Sequence, residues 1–290
     1  MASARGYVPL IVLSVIWGLA FVAIRRADFE LSWENLTLLR WMLVSACFLA
    51  LYPFIGKSKV PLERRDIPRL LVVSLANVAV YHLSLNFAEK TVSASLSGLL
   101  ISLGPVFTVI LSTILLKEKV GRRLGFAVVL ALVGAVLISL PDMDLGFATM
   151  IGPLAVVIAA FANGVYAVVS KPLVTKYGAS PVAIWASLVG TASILPLASG
   201  SLIQEASALS FGGWVSVLYL VVLSTVVGNL IIYTLIGRQP VSRLGVQLYL
   251  IPLVSVIGGI LILGETIGVL TVLGGAFLLM AVGMTTTIRR

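Results

Sequence analysis

Hydrophobic runs long enough to cross a bilayer recur along almost the whole chain, and they constrain its fold more than any other feature. A transmembrane helix needs about 20 mostly apolar residues. Because backbone groups in lipid must be satisfied internally, runs of this length predict helices. The ten predicted spans are residues 7–24, 36–56, 70–88, 94–116, 124–140, 151–170, 181–199, 214–236, 244–263 and 269–286.

Composition supports the same fold class. Of the 290 residues, 60% are hydrophobic and 11% are charged, whereas a soluble domain has about 45–50% apolar and about 25% charged residues. The sequence therefore predicts an all-α polytopic membrane protein with short connections. Cys47 is the single cysteine and lies in a hydrophobic run, which excludes an intramolecular disulfide.

Basic residues lie mostly on one side of the predicted membrane. If the N-terminus is cytoplasmic, the cytoplasmic side carries 16 of the 20 lysines and arginines. Cytoplasmic loops are enriched in such residues, so both termini are predicted to be cytoplasmic. The net charge of +9 then belongs to short loops along one membrane face, which argues against nucleic-acid binding. Arg40, near the outer end of the second span, is expected to extend its side chain to the interface.

The chain also repeats itself with an offset of 147 residues. The shift aligns prolines, glutamates and glycines, namely Pro105 with Pro252, Glu118 with Glu265 and Gly121 with Gly268. The predicted halves, 1–146 and 147–290, contain five spans each. Because five is odd, the second half must cross the membrane in the opposite orientation. Inverted repeats are common in secondary transporters, which bind their substrate near the midplane between the halves.

The aligned prolines lie inside apolar runs. Each proline lacks an amide proton, so the carbonyls of Ile101 and Leu248 are expected to lose their helical partners. Gly104 eases the bend before Pro105. These residues, with Pro252, predict two symmetry-related hinges beside a central cavity, and a static packing kink is the alternative interpretation.

Several stretches resemble the EamA family of the drug/metabolite transporter superfamily. They are VIWGLAFVAIRR, LLRWML, and the pair PVFTVILSTILLKEKVG and PLVSVIGGILILGETIG. The resemblance covers nearly the whole chain as two tandem units, and it is greatest to bacterial YddG-like amino-acid exporters. It implies ten helices around a cavity lined by predicted helices 1, 3, 4, 6, 8 and 9. The second half has AIWASL opposite LLRWML, so Arg40 has no counterpart there.

Polar side chains at membrane depth usually face the protein interior or a wet cavity. The predicted substrate-binding residues are Trp17, Tyr81, His82, Asn86, Ser102, Asn163, Tyr166, Asn229, Tyr233 and Tyr249. The alternative for any single Asn or Ser is a contact that holds helices together. An aromatic cavity would suit apolar or aromatic solutes and could hold cations over the ring faces.

Few ionisable groups fall at membrane depth. His82 is the single histidine, and a neutral hydrogen-bonded role is favoured over a proton carrier. No aspartate falls in a predicted span and Glu89 lies at a helix end, so the sequence offers no candidate for a buried carboxylate relay. Coupling would then use His82, or export would be facilitated. Glu118 and Glu265 precede predicted helices 5 and 10, where they are expected to interact with the helix N-termini or to act as gates.

The leading hypothesis is an alternating-access exporter of small metabolites, most of all amino acids, in a bacterial inner membrane. A channel remains open as an alternative, as do drug efflux and nucleotide-sugar transport. Phosphates would favour basic residues in the cavity, and only Lys171, at an inner helix end, offers one. An enzyme is disfavoured because a lone histidine cannot build a multi-His metal site and no H-E-x-x-H or G-x-S-x-G occurs.

A receptor or scaffold would not need an inverted duplication. No cofactor and no metal are expected. The expected partners are a small solute and the lipid bilayer, and a monomer is the simplest oligomeric state.

Overall fold

The computed structural model of the chain describes residues 8–58, 60–117, 147–198, 200–238, 241 and 250–286, with residues 126, 129–130, 133–134 and 137. These residues form helices and short connections, and no strand occurs among them. The helices are α1 (Val8–Ala27), α2 (Trp33–Ile55), α3 (Arg64–Glu89), α4 (Ala94–Leu115), α5 (Phe147–Tyr177), α6 (Ala179–Leu197), α7 (Ser201–Ala208), α8 (Phe211–Arg238), α9 (Leu250–Leu263) and α10 (Val269–Thr286).

Seven described helices, α1 to α6 and α8, are long and apolar enough to cross a membrane. α9 and α10 are shorter apolar helices, and all nine overlap predicted spans. The prediction of an all-helical polytopic membrane protein is therefore confirmed. The predicted span 124–140 lies largely outside the described residues, as does the predicted boundary at residue 146. We name the face at the α1–α2 connection the outer face, and the opposite one the inner face.

The bundle places apolar side chains on its surface and polar ones inside. Phe54 and Leu261 are 81% and 78% exposed, whereas Asn86 and Glu89 are fully buried. A soluble protein with such a surface would aggregate, but lipid is the matching solvent for it. Because polar groups at membrane depth avoid lipid, they meet between the helices.

Small residues let the helices that surround the interior approach closely. α9 packs against α1 and α4, and α5 packs against α3 and α4. A Cβ atom added at Gly18 would lie 2.5 Å from Val254 Cβ and 2.9 Å from the Ile251 carbonyl oxygen. A larger residue than glycine therefore cannot occupy position 18 without moving α9, and close contact through small residues is typical of membrane helices.

Two helices widen into π-helical turns at corresponding places. The segments are Leu75–His82 in α3 and Tyr219–Val227 in α8, which overlap when the chain is shifted by 147 residues. At the end of the second segment, the Gly228 amide donates to the Leu223 carbonyl five residues earlier. Such segments occur often at functional sites. No pattern in the sequence predicted these π-helical segments.

The turn before Pro105 differs from the prediction. Residues Ile101–Leu103 form a 3-10 turn, and the Gly104 amide donates a hydrogen bond to the Ile101 carbonyl. The expectation that this carbonyl lacks a partner is therefore wrong, because the tighter turn replaces the missing proline donor. Gly104 lies against α5, since a Cβ atom there would be 3.5 Å from the Ala160 carbonyl oxygen. Leu248 lies outside the described residues.

We expect cysteines at Phe29 and Thr175 to be accessible from opposite sides of the membrane. Both residues are exposed, and α2, α3, α4, the predicted span 124–140 and α5 separate them. An odd number of crossings reverses the side. The measurement is labelling of intact cells with a membrane-impermeant maleimide, on a Cys47→Ser background. Labelling of both cysteines from one side would show that the span 124–140 does not cross.

Candidate functional site

A cavity lies at the centre of the bundle, between helices from both parts of the chain. Its volume is about 100 Å³, which is below the ~300–1,000 Å³ typical of drug-sized ligand pockets. The cavity therefore suits a small solute. Its lining comprises Trp17, Ala20, Phe21, Ile24, Arg40, Asn77, Tyr81, His82, Leu85, Ile101, Ser102, Pro105, Asn163, Tyr166, Ser224, Thr225, Asn229, Ile251 and Pro252.

The structure brings most of the residues proposed from the sequence to this cavity. Seven proposed binding residues line it, namely Trp17, Tyr81, His82, Ser102, Asn163, Tyr166 and Asn229. Both proposed hinge prolines, Pro105 and Pro252, also line it. Tyr249 and Glu118 lie outside the described residues.

Two proposed binding residues lie behind the cavity wall. Asn86 is fully buried, and its side-chain amide donates to Thr37 Oγ1 at 2.8 Å, so it holds α3 against α2. Tyr233 is also fully buried, and its ring packs edge-on against Tyr166 with 5.4 Å between ring centroids. Tyr233 supports the wall rather than forming it.

Arg40 enters the cavity, contrary to the expectation that its side chain reaches the interface. It is 3% exposed, and it donates to Thr225 Oγ1 at 2.9 Å and Ser224 Oγ at 3.2 Å. Its Nη1 atom has no hydrogen-bond partner in the described part of the chain. The depth of Arg40 along its helix could have indicated this burial, because Arg40 is seven residues into α2 and thus ~10 Å along the helix axis.

The π-helical turn of α8 positions one aromatic wall of the cavity. The Trp17 indole N–H donates to the Ser224 carbonyl oxygen at 2.9 Å. In a regular helix that carbonyl would normally bond within the helix. Tyr81 and His82 also line the cavity, and their rings meet edge-on with centroids 4.8 Å apart. The local widening of α8 therefore fixes the indole plane at the cavity.

Several polar atoms at the cavity have no partner within the described residues. They belong to Arg40, Asn77, His82, Tyr166 and Asn229. Buried polar groups in native proteins are almost always hydrogen-bonded to protein or water. A cluster of unsatisfied groups around a void is therefore typical of a site that binds water or a polar solute. Among the described residues, no group of three His, Cys, Asp or Glu could hold a metal ion.

Three glutamates close the outer face by joining the two parts of the chain, and we name these contacts the outer clasp. Glu30 accepts from the Ser210 amide and hydroxyl, both at 2.7 Å. Glu205 accepts from the Ser32 amide at 2.8 Å. Glu265 accepts from the Ala94 and Ser95 amides at 2.8 and 3.0 Å, and from the Ser95 hydroxyl at 2.5 Å.

Glu265 therefore caps the N-terminus of α4 rather than that of α10, which follows it in sequence. The helix dipole favours a carboxylate at this end. Glu265 therefore acts as a helix cap, as expected, but for a helix in the other part of the chain. Each carboxylate of the outer clasp must leave its amide partners if the two parts separate at this face.

One carboxylate of the outer clasp, that of Glu30, is held in its ionised form by its hydrogen bonds. Hydrogen bonds from the Ser210 hydroxyl and amide hold the pKa of Glu30 below its ordinary value of 4.5. A lowered folded-state pKa means that the carboxylate stabilises the fold above pH 4.5 and loses this effect as the pH falls through the folded pKa. The Glu30 carboxylate is therefore ionised at neutral pH.

The inner face carries a second ionic cluster. Asp66 accepts from the Tyr177 hydroxyl at 2.7 Å and from Lys176 at 2.8 Å. Lys176 also lies 2.6 Å from Glu63, and this hydrogen bond lowers the pKa of Glu63. The cluster joins the start of α3 to the end of α5, so both faces have polar contacts between the two parts of the chain.

Comparison with known proteins gives one family. The sequence pattern of the EamA-like transporter family matches residues 4–140 and again residues 150–287. A probable terminal-alkyne amino-acid exporter of Streptantibioticus cattleyicolor is 29% identical, covering 95% of this chain and 91% of that protein. A probable amino-acid metabolite efflux pump of Escherichia coli is 27% identical over 96% and 93% of the two chains.

Two further similarities agree with these matches. An uncharacterized transporter of Archaeoglobus fulgidus is 29% identical, covering 96% of this chain and 97% of that protein. A protein of known crystal structure superposes with a TM-score of 0.68 over 98% of this chain and 96% of the other. Its identity of 19% shows a shared fold alone.

We expect Glu265→Gln to destabilise the protein and to loosen the outer face. The amide cannot provide charged acceptors for the α4 N-terminus, and hydrogen bonds to a charged group contribute about 1.5–3 kcal/mol. The measurement is the midpoint of thermal unfolding in detergent. Glu34→Gln, on the same face and half-buried, is the matched control. Equal midpoints for both variants would show that the cap is not stabilising.

Proposed function

Because the chain belongs to the EamA-like transporter family, we propose that it exports amino acids, aromatic ones included, by alternating access through the central cavity. A membrane transporter is the common function of the family and of the relatives named above. Arg40 carries the proposal on substrate class. A buried guanidinium in a cavity, with one nitrogen unpaired, suits a small solute that bears one carboxylate.

The charge balance of the cavity supports this choice. No ion pair joins Arg40 to an acidic group within 4 Å among the described residues. An isolated buried cation is costly unless it is paired and hydrogen-bonded. A substrate carboxylate would supply the missing charge, and guanidinium groups bind carboxylates with two parallel hydrogen bonds. Ser224 and Thr225 would hold the guanidinium in place.

The rest of the lining suits the other parts of an amino acid. Aromatic faces attract cations, so Trp17, Tyr81 and Tyr166 can receive the ammonium group. Phe21 and Ile24 add apolar surface for an aromatic or aliphatic side chain. No acidic side chain lines the cavity among the described residues, so the aromatic groups and amides must bind the ammonium.

A nucleotide sugar fits this cavity less well than an amino acid does. The cavity does contain a basic residue, Arg40. Lys171 lies elsewhere and donates to the Ile236 carbonyl at 2.6 Å. One guanidinium matches one carboxylate better than the phosphates of a nucleotide sugar, and the volume of about 100 Å³ suits a smaller solute. Amino acids therefore remain the favoured class.

The proposed architecture is two inverted five-helix halves, 1–146 and 147–290, with the span 124–140 as the tenth helix. Three paired features support it: the two π-helical segments, the two prolines at the cavity, and the double match to the family pattern. Inverted halves can exchange conformations around a fixed site. We place the chain in a bacterial inner membrane with both termini cytoplasmic, because basic residues concentrate on the inner face.

We expect Arg40→Gln to raise the KM for phenylalanine about 10- to 100-fold, because one charged hydrogen bond contributes about 1.5–3 kcal/mol. The measurement is saturable counterflow of radiolabelled solute in proteoliposomes, which also separates a carrier from a channel. Phenethylamine, which lacks the carboxylate, is the matched solute, and its inhibition of flux should change little. Arg40→Lys keeps the charge, so its KM for phenylalanine should lie between those of the unsubstituted protein and Arg40→Gln.

An equal loss for phenylalanine and phenethylamine would mean that Arg40 supports the fold rather than the carboxylate. Unchanged phenylalanine flux in Arg40→Gln would remove the amino-acid assignment from this cavity.

We expect Pro105→Ala to lower the turnover rate about tenfold while the KM changes less than about threefold. Alanine restores an amide donor and favours a regular helix over the 3-10 turn at Ile101–Leu103. The measurement compares kcat and KM in the same counterflow assay, with Pro153→Ala in α5 as a control that is absent from the cavity lining. An unchanged turnover rate would indicate a static kink.

A further inference from the structure

Glu89 is a buried carboxylate that the proposed transport site does not use. It ends α3, it is fully buried, and neither of its carboxylate oxygens has a hydrogen-bond partner in the described part of the chain. The sequence suggested that its place at a helix end would exclude a relay. Burial overturns that expectation, because an ionised carboxylate without partners is among the most costly groups inside a membrane protein.

The charged groups around Glu89 do not neutralise it. Acidic Asp28 and Glu265 and basic Arg25 and Arg40 act on its carboxyl through space. No ion pair to Glu89 within 4 Å occurs among the described residues. Arg25 instead donates to the backbone carbonyl of Glu89, and the Glu265 carboxylate caps α4.

Asp28 forms the second acid of this region. It is 7% exposed, and its nearest cation is Lys90 Nζ, 3.8 Å from Oδ1. Lys90 also donates to the carbonyls of Asp28 and Leu31 at 2.5 and 2.6 Å. Burial raises the pKa of Asp28 to about 7, against the opposing effects of Lys90 and Arg25. Two acids with little compensation therefore lie close together just inside the outer face.

Glu89 lies between the cavity and the outer clasp. Leu85, one helical turn earlier on the same face of α3, lines the cavity. Glu265 of the outer clasp lies on the other side, close enough to affect Glu89 electrostatically. Separation of the outer clasp would bring water to Glu89, and hydration stabilises the ionised form of a carboxyl.

We propose that Glu89 is a proton-binding site that holds a proton while the outer face is closed and releases it when the outer face opens. The inference rests on the proposed alternating access, but not on the identity of the solute. The proton moves between the Glu89 carboxyl and water, so no other reactant is needed. Higher pH on the outer side then favours the open state, and protonation favours closure.

The first test measures opening directly, without substrate. Spin labels at Phe29→Cys and Ile203→Cys, on a Cys47→Ser background in lipid nanodiscs, report the distance across the outer face between two exposed positions. One linked proton changes the ratio of closed to open molecules by about tenfold per pH unit in the titrating range. We expect this dependence in the unsubstituted protein and in Glu34→Gln.

Glu89→Gln mimics the protonated side chain. We expect it to keep the outer face closed and to reduce the pH dependence to less than about twofold per pH unit. Asp28→Asn should shift the midpoint in pH but leave the transition present. A pH transition in Glu89→Gln equal to that of the unsubstituted protein would overturn the proposal. Loss of the transition in Asp28→Asn but not in Glu89→Gln would also overturn it.

The second test is the infrared carbonyl band of protonated carboxyl groups near neutral pH. We expect the band to be smaller in Glu89→Gln than in Glu34→Gln, which removes a half-buried acid from the same face. Equal bands in the two variants would overturn the proposal. This measurement does not require transport, so it remains valid even if Glu89→Gln is inactive. Absence of amino-acid counterflow would contradict the proposed substrate, while these two measurements would still decide the role of Glu89.

Discussion

The cost of placing polar groups in hydrocarbon is the constraint on which the rest of the structure depends. The bundle exposes side chains such as Phe54 and Leu261 to lipid and buries Arg40, Asn86 and Glu89. Some of these groups satisfy one another, as Asn86 and Thr37 do. Others keep an unpaired atom, and among them Arg40, Asn77 and Asn229 line the cavity. The unsatisfied groups therefore mark where a solute or water completes the structure.

The same constraint explains how the outer face is connected to the cavity. Outer clasp glutamates bind helix N-termini across the two parts of the chain, where amide donors would otherwise lack partners. Glu265 binds α4 at Ala94 and Ser95, and the 3-10 turn beside the cavity lies in that same helix. Movement at the outer face would therefore be transmitted along α4 to Pro105. Glu89, which lies near Glu265, would add a bound proton to this connection.

Much of the fold followed from the sequence because hydrophobic length is a strong signal in lipid. Polar and aromatic residues at mid-span, such as Tyr81 and Asn163, were placed correctly at the cavity because lipid leaves them few alternatives. Three features were not predicted. The π-helical segments depend on tertiary packing rather than local composition, Arg40 was judged by its distance from a helix end, and the burial of Glu89 depends on how the connections fold over it.

A structure of the protein with bound phenylalanine tests the central claim most directly. The account predicts that the ligand lies in the central cavity with a carboxylate oxygen about 2.7–3.2 Å from Arg40 Nη1, and with its ammonium group against the aromatic wall. A carboxylate bound away from Arg40, or a ligand outside the cavity, would contradict the claim that this unpaired guanidinium selects the substrate.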